Sequence, residues 1–162
     1  MKLRNINVPK LLVALVICQL AGVVGTLFTT PSISTWYATL QKPFFNPPNW
    51  LFGPVWVTLF ILMGISFYLV WNKGAKNKKV KTALAVFGIQ LGLNALWSIL
   101  FFGLRSPFYA FIEIVMLWTA IVFTIIKFYK ISRGAALLLL PYIIWVTIAA
   151  VLNLSVWMLN PL

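Results

Sequence analysis

Residues 83–104 read ALAVFGIQLGLNALWSILFFGL. The run carries no charge and exceeds the about 20 residues that a helix needs to cross the ~30 Å hydrocarbon layer of a bilayer. Four further apolar runs, at 11–28, 50–71, 107–126 and 135–159, take up most of the remaining chain. With 62% hydrophobic and 9% charged residues, the chain falls in the membrane class before any motif is considered. The expectation is an all-α membrane protein, a bundle of five transmembrane helices in a single domain over 1–162. The spans are set at 9–29, 50–72, 82–104, 107–128 and 134–159. No small-x-small site closes the first run, so it is expected to stay as a span rather than be cleaved as a signal peptide.

The central run also has a geometry. At about 100° per residue, Gly88, Gly92 and Ala95 fall on one face, and Gln90, Asn94, Trp97 and Phe101 on the opposite one. The first face contains a GxxxG pair, suited to close helix contact with a neighbouring helix or a second subunit. The second carries amides that are costly in lipid unless they look into the bundle or a cavity. In the last run Tyr142, Trp145, Ala149, Leu152 and Asn153 share a face, with Pro141 just before them expected to kink the helix or free a carbonyl. Trp145 and Asn153 would complement Gln90, Asn94 and Trp97 around a pocket; the alternative is an aromatic core stripe. In the first run small residues recur at Ala14, Cys18, Gly22 and Thr26, a row that serves helix packing or, alternatively, a gate.

Residues 30–49 form the one long connection, rich in proline and aromatics: TPSISTWYATLQKPFFNPPN. Ser34 or Thr35 is placed to cap a short helix over 36–40, ending before Pro43. Trp36, Lys42, Pro43, Pro47 and Pro48 are expected to belong to a partly helical lid folded over the bundle mouth. The alternative is an interfacial aromatic belt.

The net charge of +12 is distributed by side rather than by motif. With five spans, Lys2, Arg4, Lys10, the cluster Lys73, Lys76, Lys78, Lys79 and Lys81, and then Lys127, Lys130 and Arg133 share one face of the membrane. Lys42 and Arg105 are left on the other. The positive-inside rule puts the N-terminus in the cytoplasm. The basic run is also suited to anionic membrane lipid, and without interleaved aromatics it gives no reason to expect nucleic acid.

Histidine is absent, and Cys18 is the single cysteine. Zinc sites, histidine-ligated haem and histidine-based nucleophilic catalysis are thereby excluded. Glu113 is the single acidic residue and lies inside the fourth run, so no carboxylate pair is available. An ionisable group in a span is a functional candidate; its other reading is a structural carboxyl. No metal site and no obligatory cofactor are expected.

The segments WYATLQKPFFNPPNWLFGPVW (36–56), QLGLNALW (90–97), FFG (101–103) and PYIIWVTIAAVLN (141–153) resemble the translocator protein family, also called TspO/MBR or tryptophan-rich sensory proteins. The resemblance covers nearly the whole chain. It implies a five-helix bundle, a homodimer, and a pocket open towards the first loop that binds porphyrins and other hydrophobic small molecules. The implied ligand-binding positions are Trp56, Gln90, Asn94, Trp97, Tyr109, Trp145, Ala149 and Leu152. It also implies protoporphyrin IX or haem as ligand rather than cofactor, with a receptor or sensor role. A tetrapyrrole transporter is the second reading. A light-dependent porphyrin-degrading activity is the third, with Trp56 and Trp145 its candidate catalytic residues. Animal members carry a sterol motif late in the last span; here Leu154 and Met158 stand at its tyrosine and basic positions. The missing motif and the charge asymmetry suit a bacterial plasma membrane.

Overall fold

The computed structural model describes residues 6–161, so Lys2 and Arg4, which enter the orientation argument, lie outside the described residues. Five helices are long and apolar enough to cross a membrane, and no strand occurs among the described residues. In chain order the elements are α1 (Val8–Ile33), α2 (Trp36–Thr39), α3 (Asn49–Trp71) and α4 (Lys78–Ser98). A π-helical turn (Ile99–Gly103) prolongs α4, and α5 (Pro107–Tyr129), α6 (Arg133–Leu137) and α7 (Leu140–Leu159) follow.

The helix starts follow from local chemistry. Asn7, Asn77, Ser106 and Ser132 each accept a backbone N–H in the first turn of the helix that follows. Pro107 occupies the opening turn of α5, where its missing N–H costs nothing. Pro141 does the same in α7. The disturbance expected at Pro141 takes the form of a break: the span 133–159 is interrupted at 138–139, between α6 and α7, and the proline sits in the first turn that follows. The first helix runs on through Pro31 to Ile33, so the lid is shorter than the 30–49 expected. Thr35 precedes α2, yet its hydroxyl donates to the Pro31 carbonyl at 2.8 Å instead of capping α2.

In lipid the helices gain little from hiding apolar surface, so close packing holds the bundle. The first helix packs on α3, and α5 packs on α4 and α7. The small-residue row of α1 is used for this. A Cβ on Gly64 would lie 2.9 Å from the Leu15 Cα, and one on Gly22 would lie 2.6 Å from the Phe60 ring. Ala14 and Cys18 are fully buried in the same seam. By contrast, a Cβ on Gly88 or Gly92 would meet nothing within 4 Å among the described residues, so neither glycine of the GxxxG pair is used for packing there.

Basic residues gather at the end opposite the lid. There Lys10 lies over the Trp71 ring, Arg133 lies over Tyr129, and the Asn7 amide donates to the Tyr68 hydroxyl at 2.9 Å. At the lid end the π-helical turn matters most. One extra residue in the turn, with Leu104 N–H donating to the Ile99 carbonyl at 2.8 Å, lets both Phe101 and Phe102 point inward.

Candidate functional site

A cavity of about 530 Å³ lies between the lid and the middle of the bundle, within the range of small-molecule sites. Aromatic rings supply its walls. From α3 come Phe52, Trp56 and Phe60; from α4 and its π turn, Trp97, Phe101 and Phe102; from α7, Trp145. These rings fix one another. Trp97 stacks on Phe101 at 5.0 Å between centroids, Trp56 stacks on Phe60 at 5.6 Å, and Trp145 meets Phe52 edge-on at 5.8 Å.

The polar groups around the cavity divide into those with a hydrogen-bond partner and one without. Trp97 Nε1 donates to Asn153 Oδ1 at 2.9 Å, and Asn153 Nδ2 donates to the Pro107 carbonyl at 2.7 Å, tying α4, α7 and α5 together. Asn94 Nδ2 donates to the Tyr142 hydroxyl at 3.0 Å, which donates on to Gln90 Oε1 at 2.9 Å. Trp145 Nε1, in contrast, is buried without a hydrogen-bond partner. The Trp145 side chain borders the cavity, while its N–H is enclosed among packed side chains.

The residues expected to bind a ligand are mostly brought together. Trp56, Asn94, Trp97, Trp145, Ala149 and Leu152 all border the cavity. Gln90 does not. It lies one turn further from the lid, fully buried, with its amide N–H directed at the Met63 sulfur. Tyr109 does not either. In the first turn of α5 its ring turns outward beside Phe108 and is 59% exposed. Glu113 is buried, and both carboxyl oxygens lack a hydrogen-bond partner, but it is absent from the cavity wall. Ala95 shares its helix face with Gly88 and Gly92 and also stays out of the wall.

The lid folds over one end of the cavity. Trp36 meets Phe101 edge-on at 5.6 Å, and Tyr37 is buried against Phe101 and Phe102. The Tyr37 hydroxyl donates to Asn46 Oδ1 at 3.1 Å, and Lys42 Nζ sits 4.5 Å above its ring. Pro43 and Pro47 contribute carbonyls that accept from Asn46, and Pro48 leads into α3. Burial pushes the Tyr37 phenol up from its ordinary value. A reciprocal pair completes the fastening: Gln41 N–H donates to Asn160 Oδ1, and Asn160 Nδ2 donates to the Gln41 carbonyl, both at 2.9 Å.

Sequence reasoning missed Tyr37, Asn46 and the Gln41–Asn160 pair, since none of them marks itself by spacing. It also missed Gln19, which borders the cavity from α1 and whose amide donates to the Val57 carbonyl of α3 at 3.3 Å. A signal existed there: Gln19 is an amide inside an apolar span, and such residues are rarely without purpose.

Comparison with known proteins agrees with this architecture. The TspO/MBR family model matches residues 14–158. The chain is 46% identical over 155 residues to the tryptophan-rich protein TspO of Archaeoglobus fulgidus, covering 95% of this chain and 99% of that one. It is 39% identical over 135 residues to the human translocator protein, covering 83% and 80%. It is 34% identical over 125 residues to the tryptophan-rich sensory protein of Cereibacter sphaeroides, covering 77% of each. The chain belongs to the TspO/MBR family and is a multi-pass membrane protein.

Proposed function

We propose that this TspO/MBR family protein is a membrane receptor that holds a porphyrin or a similar flat hydrophobic ligand in the cavity between its helices. The observation that carries the reading is the Trp145 indole N–H, buried and unpartnered among aromatic rings that border a cavity of about 530 Å³. Rings already stacked at fixed angles offer flat faces to an extended π-system at little entropic cost, and one free donor orients a polar substituent.

With no histidine in the sequence, the ligand is held by stacking and shape rather than through an axial bond to imidazole. Metal-free protoporphyrin IX therefore binds within about threefold of haem, a difference of ~0.7 kcal/mol. Tryptophan-fluorescence titration in lipid nanodiscs measures both. A haem preference of about a hundredfold or more contradicts the reading. Trp145→Phe keeps a ring but removes the donor, and weakens protoporphyrin binding by about 3–10-fold, the worth of one neutral hydrogen bond. Unchanged affinity in that variant removes the orienting role given to the indole.

Two copies pair through the α4 face bearing Gly88, Gly92 and Ala95, a reading supported by the open space around both glycines. The membrane is a bacterial plasma membrane with the N-terminus in the cytoplasm, a reading supported by the basic residues collected at one end of the bundle.

A further inference from the structure

The cavity is not uniformly enclosed. Its walls on α4 and α7 are buried or half-buried, as are Tyr37 and Asn46 of the lid. Every exposed residue that borders it belongs to α1 or α3: Val23, Thr26 and Thr30 on one side, Trp50, Gly53 and Val57 on the other, with Asn49 at the top. Val57 is 52% exposed while lining the cavity. The opening is therefore lateral, along the seam between two transmembrane helices.

Its depth follows from helix rise. From Asn49 to Val57 is about 12 Å of helix axis, and from Ile33 back to Val23 about 15 Å, at ~1.5 Å per residue. Both distances reach well into the hydrocarbon layer. Towards the basic end, the seam is shut where Gly22 receives Phe60 and Gly64 receives Leu15. At the lid end, the way to water is fastened by the Tyr37–Asn46 bond and the two Gln41–Asn160 bonds. At the foot of the opening, one polar contact spans the seam, the Gln19 amide donating to the Val57 carbonyl.

We propose that the seam between α1 and α3 is a portal through which the ligand passes directly from the bilayer hydrocarbon into the cavity, with the lid staying closed. Gln19 is the positioning residue that sets the lower edge of the portal. This rests on the cavity being a binding site for a hydrophobic ligand, and it adds where that ligand comes from. Small and β-branched residues (Val23, Thr26, Thr30, Gly53 and Val57) border the opening above Gln19, with Asn49 and Trp50 only at its lid end, so a flat molecule already dissolved in the bilayer meets few obstructing side chains over most of the opening and sheds no further water on entry.

The test separates the route from the ligand. In a Cys18→Ser background, Ala149→Cys places the one thiol in the cavity wall on α7, across from the seam. The protein, in phosphatidylcholine nanodiscs, is reacted with N-(1-pyrenyl)maleimide, which partitions into the bilayer. Val57→Trp and, separately, Val23→Trp narrow the opening from either helix. Each lowers the modification rate by about tenfold or more, whereas Asn160→Ala, which unfastens the lid, changes it by no more than about twofold. Thermal melting of each variant verifies the fold, and the two tryptophan variants act from different helices, so one misfolded variant leaves the other to decide. Unchanged rates in a folded tryptophan variant, a large acceleration by Asn160→Ala, or no modification of the thiol in the parent each overturn the portal. A parent whose thiol reacts through the seam but which does not bind protoporphyrin IX overturns the ligand reading instead.

Discussion

Trp97 and Trp145 both face the cavity, and their hydrogen bonding separates their roles. The Trp97 N–H is committed to Asn153, which is committed in turn to the Pro107 carbonyl, so this indole is part of the scaffold. The Trp145 N–H has no protein partner, so its removal costs the fold nothing by way of a lost bond. Trp97→Phe leaves Asn153 Oδ1 without its donor, at a cost of about 1–3 kcal/mol. At about 2–4 °C per kcal/mol, its melting temperature falls by about 2–12 °C. Trp145→Phe melts where the parent does. Thermal unfolding in one detergent checks the pair, and equal melting temperatures would show that the Trp97–Asn153–Pro107 chain carries no stability.

The same residues show what spacing can deliver. Helical arithmetic put Gln90, Asn94 and Trp97 on one face, and they do share one, but an angle holds no information about depth. Asn94 reaches the cavity, while Gln90, about 6 Å further along the axis by helical rise, ends in packed core beside Met63. Tyr109 was placed in the pocket by resemblance, and its outward ring shows that an aligned position does not fix where a side chain turns.

Among the elements, the seam of α1 and α3 is closed by glycines at one end and open at the other. Gly64 lies so close to α1 that a methyl group there would press on the backbone at Leu15. Gly64→Ala must therefore push the helices apart, at about 1–3 kcal/mol. Gly88→Ala meets no atom within 4 Å among the described residues and does not lower monomer stability, since alanine is the better helix former. Chemical unfolding of monomeric protein in detergent compares the two, and an undisturbed Gly64→Ala protein would contradict the packing described for the seam.

The lid has its own dependence on pH. Its buried Tyr37 phenol binds the proton more tightly than an exposed tyrosine, whose ordinary value is about 10. The sign follows: Tyr37 supports the closed lid fully below about pH 10, and that support is lost as pH rises above it. Limited proteolysis of the lid should be steady up to about pH 10 and speed up as the pH is raised above it, with the rise blunted in Tyr37→Phe. A Tyr37→Phe lid that loosens just as steeply would assign the effect to other groups.

The presence of a folded connection here was legible from its prolines and aromatics. Its fastening was not, because Gln41 and Asn160 are far apart in sequence and neither belongs to a periodic pattern. The π-helical turn escaped for a different reason. One added residue in a helix leaves composition and hydropathy unchanged, yet it turns both Phe101 and Phe102 to the interior.

For the molecule as a whole, five apolar runs with every charged residue but Glu113 at or beyond their ends dictate a bundle, because a bilayer offers backbone amides no water and only helices satisfy them locally. That level was fully legible. Where the bundle stays hollow was less so, since a cavity is a property of side chains from four helices at one depth. The aromatic faces of the third and last runs pointed to it, but the contribution of α1 and the sideways opening had no signature in a single helix. The hollow gathers Trp56, Trp97 and Trp145 beneath a fastened lid, and it is the place proposed for the ligand.

Filling that hollow tests the assignment most directly. Ala149 is a small, half-buried residue in the cavity wall on α7, and Ala149→Trp places an indole in the space without removing any hydrogen bond. Calorimetric titration of this variant with protoporphyrin IX should show affinity reduced by about a hundredfold or more, ~2.7 kcal/mol, at an undiminished melting temperature. Binding at parental affinity by the folded variant would contradict the account, because the porphyrin would then have to sit elsewhere.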